Sequence, residues 1–245
     1  MLKKQLAIIS GTSRGIGKGM FDSLLEKGIQ TISINRRFRE VNHINHLGNL
    51  TYDLIQLEGL DALVQKIIGY IVPEETEKIW LFNNAAILGE INPFGRSNPE
   101  AIKDTLNLDL LSPMILSSIL LSKTRIMDIP LRMIHISSGA AFQAIHGLGP
   151  YCVSKAGLEM FSKMLSAENT EDDFSSITIG PGVVDTGMQE QIREASPESF
   201  NQLERFQDFH SSRMLQTSDA VGKNIIDFVL KDKFQSGNYY EINNL

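Results

Sequence analysis

The chain has 245 residues, 42% of them hydrophobic and 21% charged, with a formal net charge of −6 and a pI near 5.4. That acidic balance gives no long-range attraction for nucleic acid or an anionic membrane, and the composition is that of a globular protein long enough to bury a full core. Cys152 is the only cysteine, which excludes a disulfide framework and a thiolate metal site; the His43-x-x-His46 pair has no carboxylate-rich or cysteine-rich partner stretch, so no metal is expected.

Lys3 and Lys4 precede only a short apolar run, Leu6 to Ile9, too short for a signal-peptide core, so a cytoplasmic protein is expected. That run reads as a buried strand. It leads into Ser10-Gly-Thr-Ser-Arg-Gly-Ile-Gly17 and an amphipathic segment through Met20, Phe21, Leu24 and Leu25 to Gly28, which is strand, glycine-rich turn, helix. Gly11 permits the tight turn, Gly15 lets backbone approach a pyrophosphate, and Gly17 lets helix and strand pack closely. Ser13, Arg14 and Ile16 lie between them and are expected to face the same dinucleotide. The spacing is Gly-x-x-x-Gly-x-Gly, and its placement between strand and helix carries the reading more than the glycines themselves.

A second strand, Thr31 to Asn35, ends in Asn35-Arg36-Arg37-Phe38-Arg39. An NAD-selective fold places Asp or Glu here for the ribose hydroxyls; Asn35 with Arg36 or Arg37, and Arg14 from the loop, suits a 2′-phosphate and so NADP(H). The competing reading is a solvated charged loop. Asn49 to Leu54 reads as a third strand whose Asp53, beside Leu54, can accept from an adenine amino group. Gln56 to Val72 is helical in pattern and stopped by Pro73; Lys78 to Phe82 is a fourth strand running into Asn83-Asn84-Ala85-Ala86, whose amides can tie neighbouring strands together. Ile102 to Arg125 is a long helix whose apolar part, Leu106 to Leu121, is broken by Asp109, Ser112 and Pro113 and is shorter than the ~20 residues of a membrane span.

Leu131 to Ile136 is a fifth strand delivering Ser137 and Ser138 to its C-terminal end. If Pro150 opens a helix running to about Glu168, Tyr151 and Lys155 lie one turn apart on one face. A lysine ammonium beside a phenol favours the phenolate, so the pair is expected to exchange a proton near neutral pH while the Ser138 hydroxyl holds a carbonyl oxygen. Ser176 to Ile179 is a sixth strand ending in Gly180-Pro-Gly-Val-Val-Asp-Thr186. Met188 to Leu215 is helical in pattern, and its Phe200, Leu203, Phe206 and Phe209 face serves either core packing or a lid, at 187–215, over a pocket. Ser218 to Leu230 is a final helix and Tyr239 to Ile242 a last strand. With no repeat or linker, one domain over 1–245 is expected: α/β, a single doubly wound parallel sheet of Rossmann type with helices on both faces and ligand positions at the strand C-termini.

With those positions in hand, the chain resembles the short-chain dehydrogenase/reductase family over its full length. The resemblance rests on Gly11 to Gly17, Asp53, Asn83 to Ala86, the Ser138, Tyr151 and Lys155 set, and Pro181 to Thr186. It implies a cofactor held by these segments, with Asn83, Asn84, Ala85, Pro181, Gly182, Val184 and Thr186 among its contacts. Ser112 to Leu116, Pro181 to Gln189 and Ile192 to Ser196 look most like the sepiapterin reductase and bacterial benzil reductase branch. That implies NADPH-dependent reduction of a small ketone or vicinal dicarbonyl, with Tyr151 as proton donor, Ser138 orienting the oxygen and Lys155 lowering the tyrosine pKa and binding the nicotinamide ribose. Family members associate as homodimers or homotetramers through the long helix and the Tyr151 helix.

Two residues depart from the family pattern. Ala86 replaces a glycine, which is tolerable unless φ is positive there. Asp109 aligns with the family's catalytic asparagine, Asn107 lying on nearly the opposite helix face. Its backbone carbonyl can serve as the family mechanism proposes, whereas an ionised carboxylate near Lys155 would weaken the lysine's effect on Tyr151. Two other functions compete. A 3-oxoacyl-carrier-protein reductase would need a basic docking patch where Glu190, Glu194, Glu198, Glu204 and Asp208 stand. A non-catalytic NADPH-binding sensor or scaffold typically lacks the Tyr or Lys that this chain keeps.

Overall fold

Strand β1 (Lys4–Ser10) sends Leu6 and Ile8 into one core and Ala7 and Ile9 into another, the two-residue period of a strand buried on both faces. The computed structural model describes residues 3–38, 40–212 and 215–242. Further strands are β2 (Gln30–Asn35), β3 (His46–Thr51), β4 (Thr76–Asn83), β5 (Leu131–Ile136), β6 (Phe174–Gly180), β7 (Val184–Asp185), β8 (Gln216–Thr217) and β9 (Tyr239–Glu241). Seven of them form one sheet in the order β3-β2-β1-β4-β5-β6-β9, every pairing parallel. The chain reverses direction across the sheet between β1 and β4, and the crevice outside the strand ends at that point is where ligands bind in such sheets.

The helices are α1 (Gly15–Glu26), α2 (Leu60–Ile68), α3 (Pro99–Leu106), α4 (Ser112–Ile126), α5 (Gly149–Glu168), α6 (Gly187–Arg193), α7 (Leu203–Ser211) and α8 (Ser218–Val229). Met20, Phe21 and Leu24 of α1 and Val221, Ile225 and Ile226 of α8 fill the core on one face. Leu63 and Val64 of α2, Leu116 and Leu120 of α4, and Leu158 and Phe161 of α5 fill the other. Each fully buried side chain of this size contributes about 1.5–3 kcal/mol, so the two layers carry most of the fold's stability.

The element boundaries differ from the sequence reading where turn chemistry intervenes. β3 ends at Thr51, so Asp53 and Leu54 follow the strand. α2 begins at Leu60, after Gly59 at φ +88, because the Tyr52 hydroxyl holds the carbonyls of Gln56 and Glu58 in a turn. The long helix expected over 102–125 starts at Pro99, capped by Asn98 accepting from Glu100 N at 2.9 Å, and is interrupted by a π-turn at Asn107–Leu111. Pro113 is the physical reason. It has no N–H to return to the carbonyl of Asp109 four residues earlier, and its ring would strike that carbonyl in a regular α-helix. The 28-residue run Pro99–Ile126 contains an 18-residue window of mean hydropathy 1.4, long and apolar enough for a membrane span. Its Leu108, Leu116 and Leu120 are instead buried in the core, which accounts for the composition. The helix expected over 188–215 is two, α6 and α7, separated where Pro197 follows Ser196 and the Ser199 and Phe200 amides turn back to the Ser196 carbonyl. Residues 213 and 214 lie outside the described residues.

A row of polar side chains crosses the buried sheet under α4 and α5. Asn83 Nδ2 donates to Ser117 Oγ at 3.1 Å and to His135 Nδ1 at 3.0 Å, and Thr178, opposite His135, donates to Glu159 Oε2 at 2.7 Å. Burial, with Lys155 nearby, holds the His135 imidazole near 3 against its usual 6.5. Neutral His135 therefore adds stability above 6.5 that is lost as pH falls toward 3. Glutamine at this position keeps an acceptor for Asn83, and His135→Gln should lose less stability than the parent in urea melts taken across that window. An unchanged acid slope would remove His135 from the explanation of acid unfolding.

Candidate active site

The C-terminal ends of β1, β2, β4, β5 and β6 open onto a cleft of about 590 Å³. Its floor is the β1–α1 loop. Gly11 sits at φ +74 and donates to Ile34 O at 2.9 Å. A Cβ on Gly17 would lie 2.1 Å from the Gly11 carbonyl, so only glycine lets α1 start this close to β1. The first turn of α1 has no side-chain cap, and Ser13, Arg14, Gly15 and Ile16 line the cleft, so its orphan N–H groups are available to an anion. Arg36 and Arg37 line the same end.

Asn35 lines the cleft too and also ties the loop down. Its Oδ1 accepts from Thr12 N at 2.8 Å and its Nδ2 donates to Thr12 Oγ1 and Asn49 Oδ1 at 2.9 and 2.7 Å, tying the loop to β2 and β3. Asp53 and Leu54 line the cleft beyond β3, Asp53 Oδ1 accepting from Ile55 N at 3.2 Å. Asn84 Nδ2 bonds the carbonyls of Ser10 and Gly11 at 2.8 and 3.2 Å, while the Asn84 and Ala85 amides share Ser10 Oγ at 3.0 Å. Asn84 and Ala85 line the cleft; Asn83 does not, being spent on the buried row described above. Ala86 is not among the positive-φ residues, so its methyl group is tolerated. Pro181 and Thr186 line the cleft, Gly182 turns the chain at φ +75, and Val184 points into the core.

Pro150 lies in the first turn of α5, as the sequence suggests, and Tyr151 and Lys155 are 8% and 3% exposed. Lys155 Nζ donates to Ile136 O at 3.1 Å and lies 5.5 Å from the Tyr151 ring centroid. Ser138 Oγ accepts from Ala140 N at 3.2 Å and hydrogen-bonds Tyr151. The π-turn aims Asp109 at this pair: Oδ1 accepts from Ile87 N at 2.9 Å and Oδ2 lies 3.8 Å from Lys155 Nζ. Asn107 points elsewhere, to Ile55 O at 3.1 Å. Tyr151 and Lys155 line the cleft, Asp109 is buried beside Lys155, and Ser138 is half-buried.

Residues 5–197 match the family described as short chain dehydrogenase. The chain belongs to the short-chain dehydrogenase family. It is 33% identical over 243 residues to a benzil reductase, (S)-benzoin forming, of Bacillus cereus, covering 96% of this chain and 98% of that one. It is 29% identical to the sepiapterin reductase of Meriones unguiculatus, covering 95% and 94%. The fold is similar to that of a Saccharomyces cerevisiae short-chain dehydrogenase/reductase, with a TM-score of 0.81 at 24% identity over 98% of this chain and 96% of that one. As a short-chain dehydrogenase/reductase, the protein is an NADP-dependent carbonyl reductase in the general sense, and the uncapped helix, the glycine cradle and the arginines fit that cofactor's phosphates.

The electrostatics of this short-chain dehydrogenase depart from the simple expectation of a lysine-acidified tyrosine. Burial pushes the Tyr151 phenol above its ordinary range, the Asp109 carboxylate pushes it further, and the Ser138 hydrogen bond opposes both. Burial also lowers Lys155, against the pull of Asp109 and Glu159. Burial raises Asp109 to about 6 despite Lys155 and the Ile87 amide. Sequence reasoning missed Tyr52, Ile87, Leu88, Leu108, Met188 and Gln191, which also line the cleft. They follow strand ends, sit in the π-turn (Leu108) or lie in α6, and carry no chemical signature that separates them from core residues. Gly17→Ala should weaken NADPH binding, read by fluorescence titration, at least about tenfold and destabilise the fold by about 1–3 kcal/mol. Unimpaired binding would show that the cradle is not built to that tolerance.

Proposed function

We propose that the protein reduces apolar vicinal dicarbonyls to α-hydroxyketones with NADPH. The observation that carries this reading is the wall beside Tyr151: Ile87, Leu88, Leu108 and Met188, with Gln191 as its polar member, backed by a cluster of Leu148, Ile192 and Phe200. A surface of this kind suits the rings of an aromatic diketone. It would leave the several hydrogen-bonding groups of a pteridine facing hydrocarbon, at about 1–3 kcal/mol for each unpaired group. The likeness to a benzil reductase supports the same choice.

The bound cofactor supplies a hydride to the carbonyl carbon. Tyr151 gives its phenolic proton to the carbonyl oxygen, Ser138 holds that oxygen beside the phenol, and Lys155 supplies the positive charge that favours the phenolate left behind and bonds the nicotinamide ribose. Asp109 acts behind Lys155. Arg14, Arg36 and Arg37, with no acidic side chain at Asn35, support NADPH over NADH. The described residues 187–212 serve as the lid: Phe200 among them is fully buried, and Gln191, which lines the cleft, bonds Gly89 O through Nε2 at 2.8 Å. Val153, Met160 and Met164 of α5 and Leu111 beside α4 expose apolar surface, which supports a homodimer or homotetramer. The acidic lid, with Glu190, Glu194, Glu198, Glu204 and Asp208, disfavours an acidic carrier protein as substrate donor.

NADPH oxidation with benzil, 1-phenyl-1,2-propanedione and sepiapterin tests the reading. Benzil should be preferred, NADH should serve poorly, and Arg36→Ala with Arg37→Ala should narrow the cofactor preference about tenfold or more. Tyr151→Phe should lose about 10²–10⁴-fold in kcat while still binding NADPH. Preference for sepiapterin would overturn the apolar-substrate reading, and full turnover by the phenylalanine variant would remove Tyr151 from the chemistry.

A further inference from the structure

Asp109 Oδ2 is buried without a hydrogen-bond partner among the described residues, 3.8 Å from an ammonium that itself donates to Ile136 O. That separation is too long for a direct hydrogen bond and short enough for strong coupling through a low-dielectric interior. The carboxylate is held there by its other oxygen, which accepts from Ile87 N, and by the π-turn that Pro113 enforces. An asparagine would fit the same space with no charge. Aspartate adds a group whose charge depends on whether it carries a proton.

We propose that Asp109 carries an exchangeable proton whose presence or absence sets the charge that Lys155 presents to Tyr151, so that carbonyl reduction is favoured on the acid side of neutrality. The inference rests on Tyr151 being the proton donor. With Asp109 protonated, the ammonium stands opposite a neutral group and stabilises the phenolate that proton donation leaves. With Asp109 ionised, the pair is neutral overall and that stabilisation is largely cancelled. The other titratable groups facing the pair are Tyr151, Cys152 and Glu159 on α5 and His135 on β5. His135 stays neutral and Cys152 is a thiol raised by burial, while burial raises Asp109, 3.8 Å from Lys155, to about 6; Glu159, which accepts from Thr178 on one oxygen and has the other buried without a partner among the described residues, is the control. The segment after β4 contributes the Ile87 amide alone. Asp109 acts through Lys155 and touches no reacting atom, which makes it a positioning residue.

Two readouts test this on the intact enzyme. Infrared difference spectra across pH should show a protonated-carboxyl band with a midpoint near 6 that is absent in Asp109→Asn and present in Glu159→Gln. Single-turnover reduction of benzil should slow about tenfold between about pH 5 and about pH 8 in the parent and in Glu159→Gln, and stay level in Asp109→Asn. Loss of the slope with melting temperature and NADPH affinity kept is a result that a merely structural role would not give. No titrating band, a band that disappears with Glu159→Gln, or an undiminished slope in Asp109→Asn would overturn the proposal. A titrating Asp109 band in a protein that reduces none of the dicarbonyls would support the proton site and overturn the substrate reading.

Discussion

A lysine ammonium held almost entirely out of water is the constraint on which this site depends. Lys155 is 3% exposed, and a buried cation persists only where its surroundings replace the lost hydration. Here the Ile136 carbonyl, the Asp109 carboxylate and the more distant Glu159 supply that replacement. Each comes from a different place: the end of β5, the π-turn before α4, and the next turn of α5. The parallel sheet and its two helical layers hold those three sources within reach of one nitrogen. Losing Lys155 would leave the buried Asp109 carboxylate without its cation, at about 3–5 kcal/mol, so catalysis and folding share this lysine.

The same arrangement explains why Tyr151 is a reluctant acid. Proximity to a lysine does not by itself acidify a phenol when both are buried and a carboxylate stands behind the lysine. Desolvation dominates, and the Asp109 charge adds to it. Ser138 pulls the other way. The tuning of this site is therefore a balance among Asp109, Lys155 and Ser138, in which Pro113 takes part at a distance by forcing the π-turn that aims Asp109.

Much of this was legible in the residues. The glycine loop, Asn84, Tyr151 and Lys155 stand where their spacing put them, because strand-end turns and one-turn helix separations are local geometry. The continuous apolar run Leu6 to Ile9 marked a buried strand for the same reason. What local pattern did not reveal was the π-turn, since a 3.6-residue period continues smoothly through Leu106 to Leu121 and only the missing N–H of Pro113 marks the break. Asn35 lines the cleft where the sequence put it, but its amide is also engaged on both sides by Thr12 and Asn49, a pairing among the β1–α1 loop, β2 and β3 that no periodicity encodes. The apolar wall of Ile87, Leu88 and Met188 was equally hidden, because a residue facing a substrate and one facing the core share the same chemistry.

The central claim is that this cleft delivers a hydride from NADPH to one carbonyl of an apolar diketone. The most direct measurement is mass spectrometry of the product formed from benzil and NADPH deuterated at the nicotinamide C4. The account predicts a benzoin carrying one deuterium on its carbinol carbon when the label occupies the transferred position, and none when it occupies the other. Unlabelled benzoin from both cofactors, or no benzoin from either, would contradict it.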